Sequence, residues 1–226
     1  MTDLDKVFAL GREINSPSTN PYLNTAYKYK LKNYRLISSG ELLVNGKDID
    51  IPHYIKIFLQ FYQEVLMIAN IISGTVTNLT FRSISLKKEF NKWGTTKSLF
   101  YGLGDLDKNF RYGDMIVLVE GHLDRDMMKT LYPNVLGVMT STLSKNQVEL
   151  LSYLTNKVVL MLDNDEAGKY GMRKAKSQLK DFEVHVLEHY GKLKDAGDLA
   201  KLEIYDPNND LDYIKTIYKS KLDMWR

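Results

Sequence analysis

From Met115 onward the chain alternates short apolar runs with stretches of helical periodicity, and no other feature constrains the fold as strongly. MIVLVE reads as a buried strand, LDRDMMKTLY as a helix, NVLGVMT as a second strand and SKNQVELLSYLTN as a second helix. KVVLML is a third strand, EAGKYGMRKAKSQLK a third helix and FEVHVLEHY a fourth strand. Ser144 and Gln147 have the spacing of a capping box, which fixes where the second helix starts. Strands that are apolar throughout must be covered on both faces, the condition of a parallel sheet between helices. The pattern predicts βαβαβαβ, followed by DLDYIKTIYKSKLDMWR as a terminal helix with a basic end.

The first half follows different rules. Its opening fifty or so residues are rich in Tyr, Asn, Ser and Lys, with turn signals at NSPSTNPY and SSGE. TAYKYKLKNYRLI interleaves bases with tyrosines, which suits either a solvated helix or a surface that faces nucleic acid. YIKIFLQFYQEVLMIANII runs into a Ser73–Gly74 turn and then the alternating TVTNLTFRSISL, which predicts a hairpin. A basic, glycine-containing loop, LKKEFNKWGTTKSLFYGLGDLDKNF, leads into the second half. With 226 residues and this change of pattern, two domains are expected rather than one.

Composition removes several chemistries. With no cysteine, disulfides, thiolate nucleophiles and cysteine-based zinc or iron–sulfur sites are excluded. His53, His122, His185 and His189 do not fall in a metal-ligand spacing, so a metal here would be held by carboxylates. That selects hard ions, Mg2+ or Mn2+. No apolar stretch approaches the roughly 20 residues that span a bilayer. The acidic start MTDLDKVFALGREIN is unlike a secretory signal, and a cytoplasmic protein without membrane attachment is expected. A net charge of +3 is compatible with a polyanionic partner but does not demand one.

In a doubly wound sheet, ligands gather at the carboxyl ends of the strands. The acidic residues fall there. Glu120 ends the first strand, with Asp124 at the start of the following helix. Asp163 and Asp165 end the third strand, and Asp195 and Asp198 lie in KDAGD after the fourth. Residues two apart in extended chain point to one side, so Asp163 and Asp165 can face one ion. Crowded carboxylates repel unless a cation neutralises them. An isolated DxD is more often a helix cap, Glu120 alone could meet solvent, and KDAGD alone could be a surface turn. Their occurrence in order at the strand ends of one sheet favours a divalent-metal site.

VEGHLD, DNDEAG and KDAGDLA together resemble the Toprim domain, the α/β metal-binding module shared by bacterial-type (DnaG-like) primases, topoisomerases and some nucleases. The DNDEAG form, with Ala and Gly after the acidic residues, resembles the primase branch. Upstream, the hairpin ending in LTFRSIS, the basic loop and TTKSLFYGL are similar to the N-terminal part of a DnaG-like polymerase core. The resemblance implies an α/β fold, a Toprim domain with a parallel, Rossmann-like sheet flanked by helices over residues 113–203. A smaller α+β N-terminal subdomain over residues 1–112 would precede it and a C-terminal helix over residues 204–226 would follow.

Carried over residue by residue, the resemblance makes Glu120 the central catalytic acid, with Asp163 and Asp165 as catalytic, metal-binding carboxylates. Asp124, Asp195 and Asp198 complete the acidic set, while Arg82, Lys88, Lys92 and Lys97 contact nucleotide phosphates or template. There are two departures from the family pattern. Ala196 stands where proline is usual, which is expected to loosen that loop, and MTSTLS lacks the usual glycine, so a different local turn is expected.

The implied function is that of a DNA primase, a DNA-directed RNA polymerase that makes short RNA primers on single-stranded DNA. The chemistry would be nucleotidyl transfer assisted by Mg2+ or Mn2+, without zinc. Ribonucleoside triphosphates, the DNA template, a replicative helicase and a single-strand binding protein are the expected partners. With neither a zinc ribbon nor a GxxxxGK[ST] loop, the chain would be an isolated core, a fragment, or a compact phage or mobile-element primase. A Toprim nuclease and a non-catalytic nucleic-acid or helicase-binding module are the alternatives. A topoisomerase would require a tyrosine domain and a strand-passage gate, for which the chain has little room.

Overall fold

The computed structural model describes residues 1–84, 90–94, 99–189, 191–205 and 211–226. The chain divides into two compact units, Met1–Thr96 and Lys97–Arg226.

The first unit is α+β. It contains α1 (Asp3–Leu10), α2 (Pro21–Lys28), β1 (Tyr34–Ser38), α3 (Ser39–Asn45), α4 (His53–Phe61), β2 (Glu64–Ile72), β3 (Thr75–Ser83) and β4 (Phe90–Gly94). The strands form one antiparallel sheet in sequential order. The expected hairpin is β2–β3. Ile72 pairs with Thr75, and the two loop residues, Ser73 and Gly74, have φ of 50° and 79°. Positive φ at both positions is the type I′ geometry whose twist matches that of paired strands. Along β2, Val65, Met67 and Ala69 share one side and pack into a cluster with Leu79 and Phe81 of β3, Ile37 of β1, and Val7, Leu42, Ile55 and Leu59 from the helices.

Three segments differ from the sequence reading. TAYKYKLKNYRLI is not one helix. α2 ends at Lys28, Lys30 turns the chain in the left-handed region at φ 51°, and Tyr34 begins a strand paired with β2. YIKIFLQFYQEVLMIANII is likewise α4 followed by β2, because its continuous apolar character conceals the change of period near Tyr62. The basic stretch is not all loop: FNKWG is β4, paired along β3 from Asn78 to Arg82.

The second unit is α/β and follows the expected alternation. It holds β5 (Ile116–Val119), α5 (His122–Lys129), β6 (Val135–Gly137), α6 (Lys145–Leu154), β7 (Lys157–Met161), α7 (Glu166–Gln178) and β8 (Glu183–Val186). α8 (Asp198–Tyr205) and α9 (Leu211–Trp225) follow. Ser144 and Gln147 make the reciprocal capping box at the start of α6. The four strands are parallel in the order β6-β5-β7-β8. Every residue of β5 is fully buried. Ile116 and Leu118 of β5, with Val158 and Leu160 of β7, face a cluster that includes Leu151 of α6 and Ala175 of α7. The chain leaves β5 towards β6 and leaves β7 towards β8, so the order reverses between β5 and β7. That reversal opens a crevice at their carboxyl ends.

Candidate active site

Glu120 directly follows β5 and Asp163 follows β7 by one residue, Leu162, so both stand at the crevice. The Glu120 backbone is fixed by its carbonyl, which accepts the Met139 N–H at 2.8 Å. Met139, in the turn after β6, occupies the left-handed region at φ 67°, where a glycine would be unstrained. Gly168, in the first turn of α7, lies close to the sheet: a Cβ there would stand 2.0 Å from the Asp163 carbonyl oxygen. Only glycine lets that helix start so near the aspartate it follows.

The six acids divide into two kinds. Glu120, Asp124, Asp163 and Asp195 act on one another electrostatically and are held above their ordinary values. For Glu120 the main cause is burial, reinforced by the charges of Asp165 and Asp195. Burial, then the charges of Asp124 and Glu120, push Asp163 up to about 8. Burial and the Asp195 charge push Asp124 up to about 7, although Asp124 accepts two backbone N–H groups, from Gly121 at 2.9 Å and Gly197 at 2.6 Å. Asp124 therefore clips the loop before α8 onto the first turn of α5.

Asp165 and Asp198 are instead lowered. Asp165 is the N-cap of α7: its Oδ1 accepts the Gly168 N–H at 2.9 Å, the largest cause of the lowering. Its Oδ2 lies 3.0 Å from Lys194 Nζ, which also stands 3.9 Å from Asp163 Oδ2. Burial acts upward on Asp198, but a side-chain bond from Lys201 and the Lys194 N–H at 2.7 Å outweigh it. Lys201 also lies 3.9 Å from Asp195. In the loop 194–198 Ala196 is buried. The Lys194 carbonyl accepts the Asn164 N–H at 2.7 Å, and the Gly197 and Lys194 amides are both bonded to aspartates.

Among the described residues no three Asp, Glu or His side chains are gathered closely enough to hold an ion as they stand. The donor set nevertheless fits a hard divalent cation. All donors are oxygens, Glu120 Oε2 is buried with no hydrogen-bond partner among the described residues, and burial with the neighbouring acidic charges raises the Asp163 carboxyl. Lys194 and Lys201 currently supply the compensating charge. Sequence reasoning missed both lysines, although Lys194 begins the quoted KDAGD and Lys201 follows Asp198 by three positions on one helix face. A cavity of about 440 Å3 opens beside Asp163, with Leu162, Met172 and Leu187 in its walls and the cations Lys169 and Arg173 at its edge.

Two of the expected phosphate contacts, Arg82 and Lys92, belong to the first unit. Arg82, on β3 of the first unit, has its guanidinium over the Tyr22 ring at 4.4 Å. Lys92 is on β4, with its ammonium 5.5 Å from the Phe90 ring centre and its pKa lowered by burial. Lys88 and Lys97 fall outside the described residues.

Residues 114–200 match the Toprim-like family model. The DNA primase of Aquifex aeolicus is 29% identical over 123 residues, which cover 54% of this chain and 22% of that protein. The solved zinc-binding and RNA polymerase domains of the Aquifex aeolicus primase align with 99% of this chain and 59% of that one, at TM-score 0.64 and 21% identity. A DnaG primase catalytic domain solved with single-stranded DNA aligns with 98% of this chain and 77% of that one, at TM-score 0.66 and 13% identity. The chain thus spans about a fifth of the curated primase it matches. It carries a Toprim-like domain within the fold of a DnaG-type catalytic core.

Proposed function

We propose that this chain is the polymerising core of a DNA primase, a nucleotidyltransferase that joins ribonucleoside triphosphates into a short RNA primer on single-stranded DNA. One observation carries this reading: Glu120 and Asp163 end neighbouring strands at the switch point of a Toprim-type sheet, within a fold shared with primase cores along nearly the whole chain. Residues 113–203 would be the catalytic domain, preceded by the α+β part over 1–112 and followed by the C-terminal part over 204–226.

Phosphoryl transfer asks the protein for positioning and charge compensation more than for covalent chemistry. Bound Mg2+ or Mn2+ would supply neutralisation of the developing phosphate charge and alignment of the 3′-hydroxyl with the leaving pyrophosphate. Glu120 and Asp163 would hold the ions, with Asp165 and Asp195 beside them. Asp124 and Asp198 would keep the loop 194–198 in place against α5 while contributing charge. Glu120, raised by burial, is suited to take the proton of the attacking hydroxyl. Arg82, Lys88, Lys92 and Lys97 are assigned to template or nucleotide phosphates. A single-strand binding protein and a replicative helicase would be partners, and the cytoplasm the compartment.

The test is a primer-synthesis assay with radiolabelled ribonucleotides on varied single-stranded templates, with and without helicase. Wild type is expected to make short RNA, and Glu120→Gln none, with its circular dichroism spectrum unchanged. Full synthesis by Glu120→Gln would sink the assignment. Cleavage of nucleic acid with Mg2+ or Mn2+ and no ribonucleotides would instead identify a Toprim nuclease.

A further inference from the structure

Lys194 has an unusual position. Its main chain is fixed on both sides, with the N–H donating to Asp198 Oδ2 and the carbonyl accepting from Asn164, both at 2.7 Å. Its side chain is 55% exposed, and its ammonium bridges Asp163 and Asp165 at 3.9 and 3.0 Å. A fixed backbone with an exposed, long side chain can change partners without moving the loop. The two partners it now holds are carboxylates that also face the crevice.

We propose that Lys194 is a resident counter-ion of this site that exchanges partners. In the metal-free chain its ammonium compensates Asp165 and stands beside Asp163, and it yields both to a divalent cation and turns to a phosphate group of the nucleotide substrate. The inference rests on the functional reading above for the identity of that phosphate. An ammonium and a divalent cation held by one pair of carboxylates repel each other in a partly desolvated site, so that each weakens the binding of the other. Once released, the ammonium is still tethered at the crevice by its fixed backbone, where substrate phosphates gather around the ions. Lys194 is thus a competitor of the metal in one state and an aid to substrate binding in the other. Lys201 differs in that it pairs with Asp198, which the loop already uses for the Lys194 N–H.

The experiment compares wild type, Lys194→Met and Lys194→Arg on the full chain. Mn2+ affinity is measured by calorimetry or electron paramagnetic resonance, and affinity for a non-hydrolysable ribonucleoside triphosphate analogue at saturating Mg2+ by fluorescence. Lys194→Met is expected to bind Mn2+ roughly three- to tenfold more tightly, the scale of removing part-exposed ion pairs. It is expected to bind the analogue several-fold more weakly, with Lys194→Arg close to wild type in both. Unchanged or weaker Mn2+ binding, including no binding by either protein, overturns the proposal, as does unchanged analogue affinity. The Mn2+ measurement requires no primer synthesis. An inactive wild type with the expected shifts would therefore defeat the primase reading and leave Lys194's exchange standing.

Discussion

Replacing Asp163 by Asn tests the electrostatic account of the site. The folded chain holds the Asp163 proton up to about pH 8, whereas the ordinary value is 3.8. An acid raised in the folded state costs stability as it is forced to ionise, because the folded chain then binds the proton that the unfolded chain has released. Wild-type stability contributed by Asp163 is therefore full below about pH 4, falls through the interval to about pH 8, and levels off above it. Taken at face value, the displacement corresponds to about 6 kcal/mol at 1.36 kcal/mol per unit. The carboxyl is 18% exposed and Lys194 stands 3.9 Å away, so screening and local relaxation leave ~1–3 kcal/mol. Asp163→Asn has nothing to ionise. With EDTA present it should match wild type near pH 4 and exceed its stability by that amount near pH 9. Urea denaturation followed by circular dichroism across this range measures the difference. Lowered acids such as Asp5 and Asp198, which stabilise as pH rises, occur in both proteins and cancel. Saturating Mg2+ should reverse the order at high pH, since wild type keeps the full donor set. A difference that stays constant with pH, or a mutant less stable at pH 9 in EDTA, would refute the reasoning.

Two structural substitutions provide independent checks. Arg125 is 3% exposed and pairs at 2.9 Å with Asp126, whose side chain is fully buried. Arg125→Leu should therefore cost about 3–5 kcal/mol in urea denaturation by leaving that carboxylate uncompensated. Gly168→Ala would drive a Cβ into the Asp163 carbonyl; we expect a loss of about 1–3 kcal/mol and weaker Mn2+ binding, both absent in the exposed control Ala167→Ser.

The second unit was legible because its strands are apolar throughout and its helices are not. The alternation of the two marks every element from β5 to β8, and the position of Glu120 and Asp163 follows from the ends of β5 and β7. The first unit was less so. α4 and β2 share one continuous apolar run, and β4 consists of Phe, Asn, Lys, Trp and Gly, whose strand state comes from pairing with β3 rather than from any period. α8 was missed because its first residue, Asp198, belongs to KDAGD, a segment that reads as loop. Within the site, the sequence placed the acids together but could not rank them. Asp163 and Asp165 are two residues apart, yet Asp165 caps α7 and Asp163 faces the other carboxylates, a difference set by the close start of the helix at Gly168. The Lys194 pairings join residues about thirty positions apart, beyond the reach of any local pattern.

The pairing of β5 with β7 has a consequence for how such a site can drift in evolution. Val119 lies beside Met161, so the anchors of Glu120 and Asp163 are separated by the spacing between two hydrogen-bonded strands, a length that no side chain alters. The main chain acts as a ruler, and the loops that decorate it are free to change.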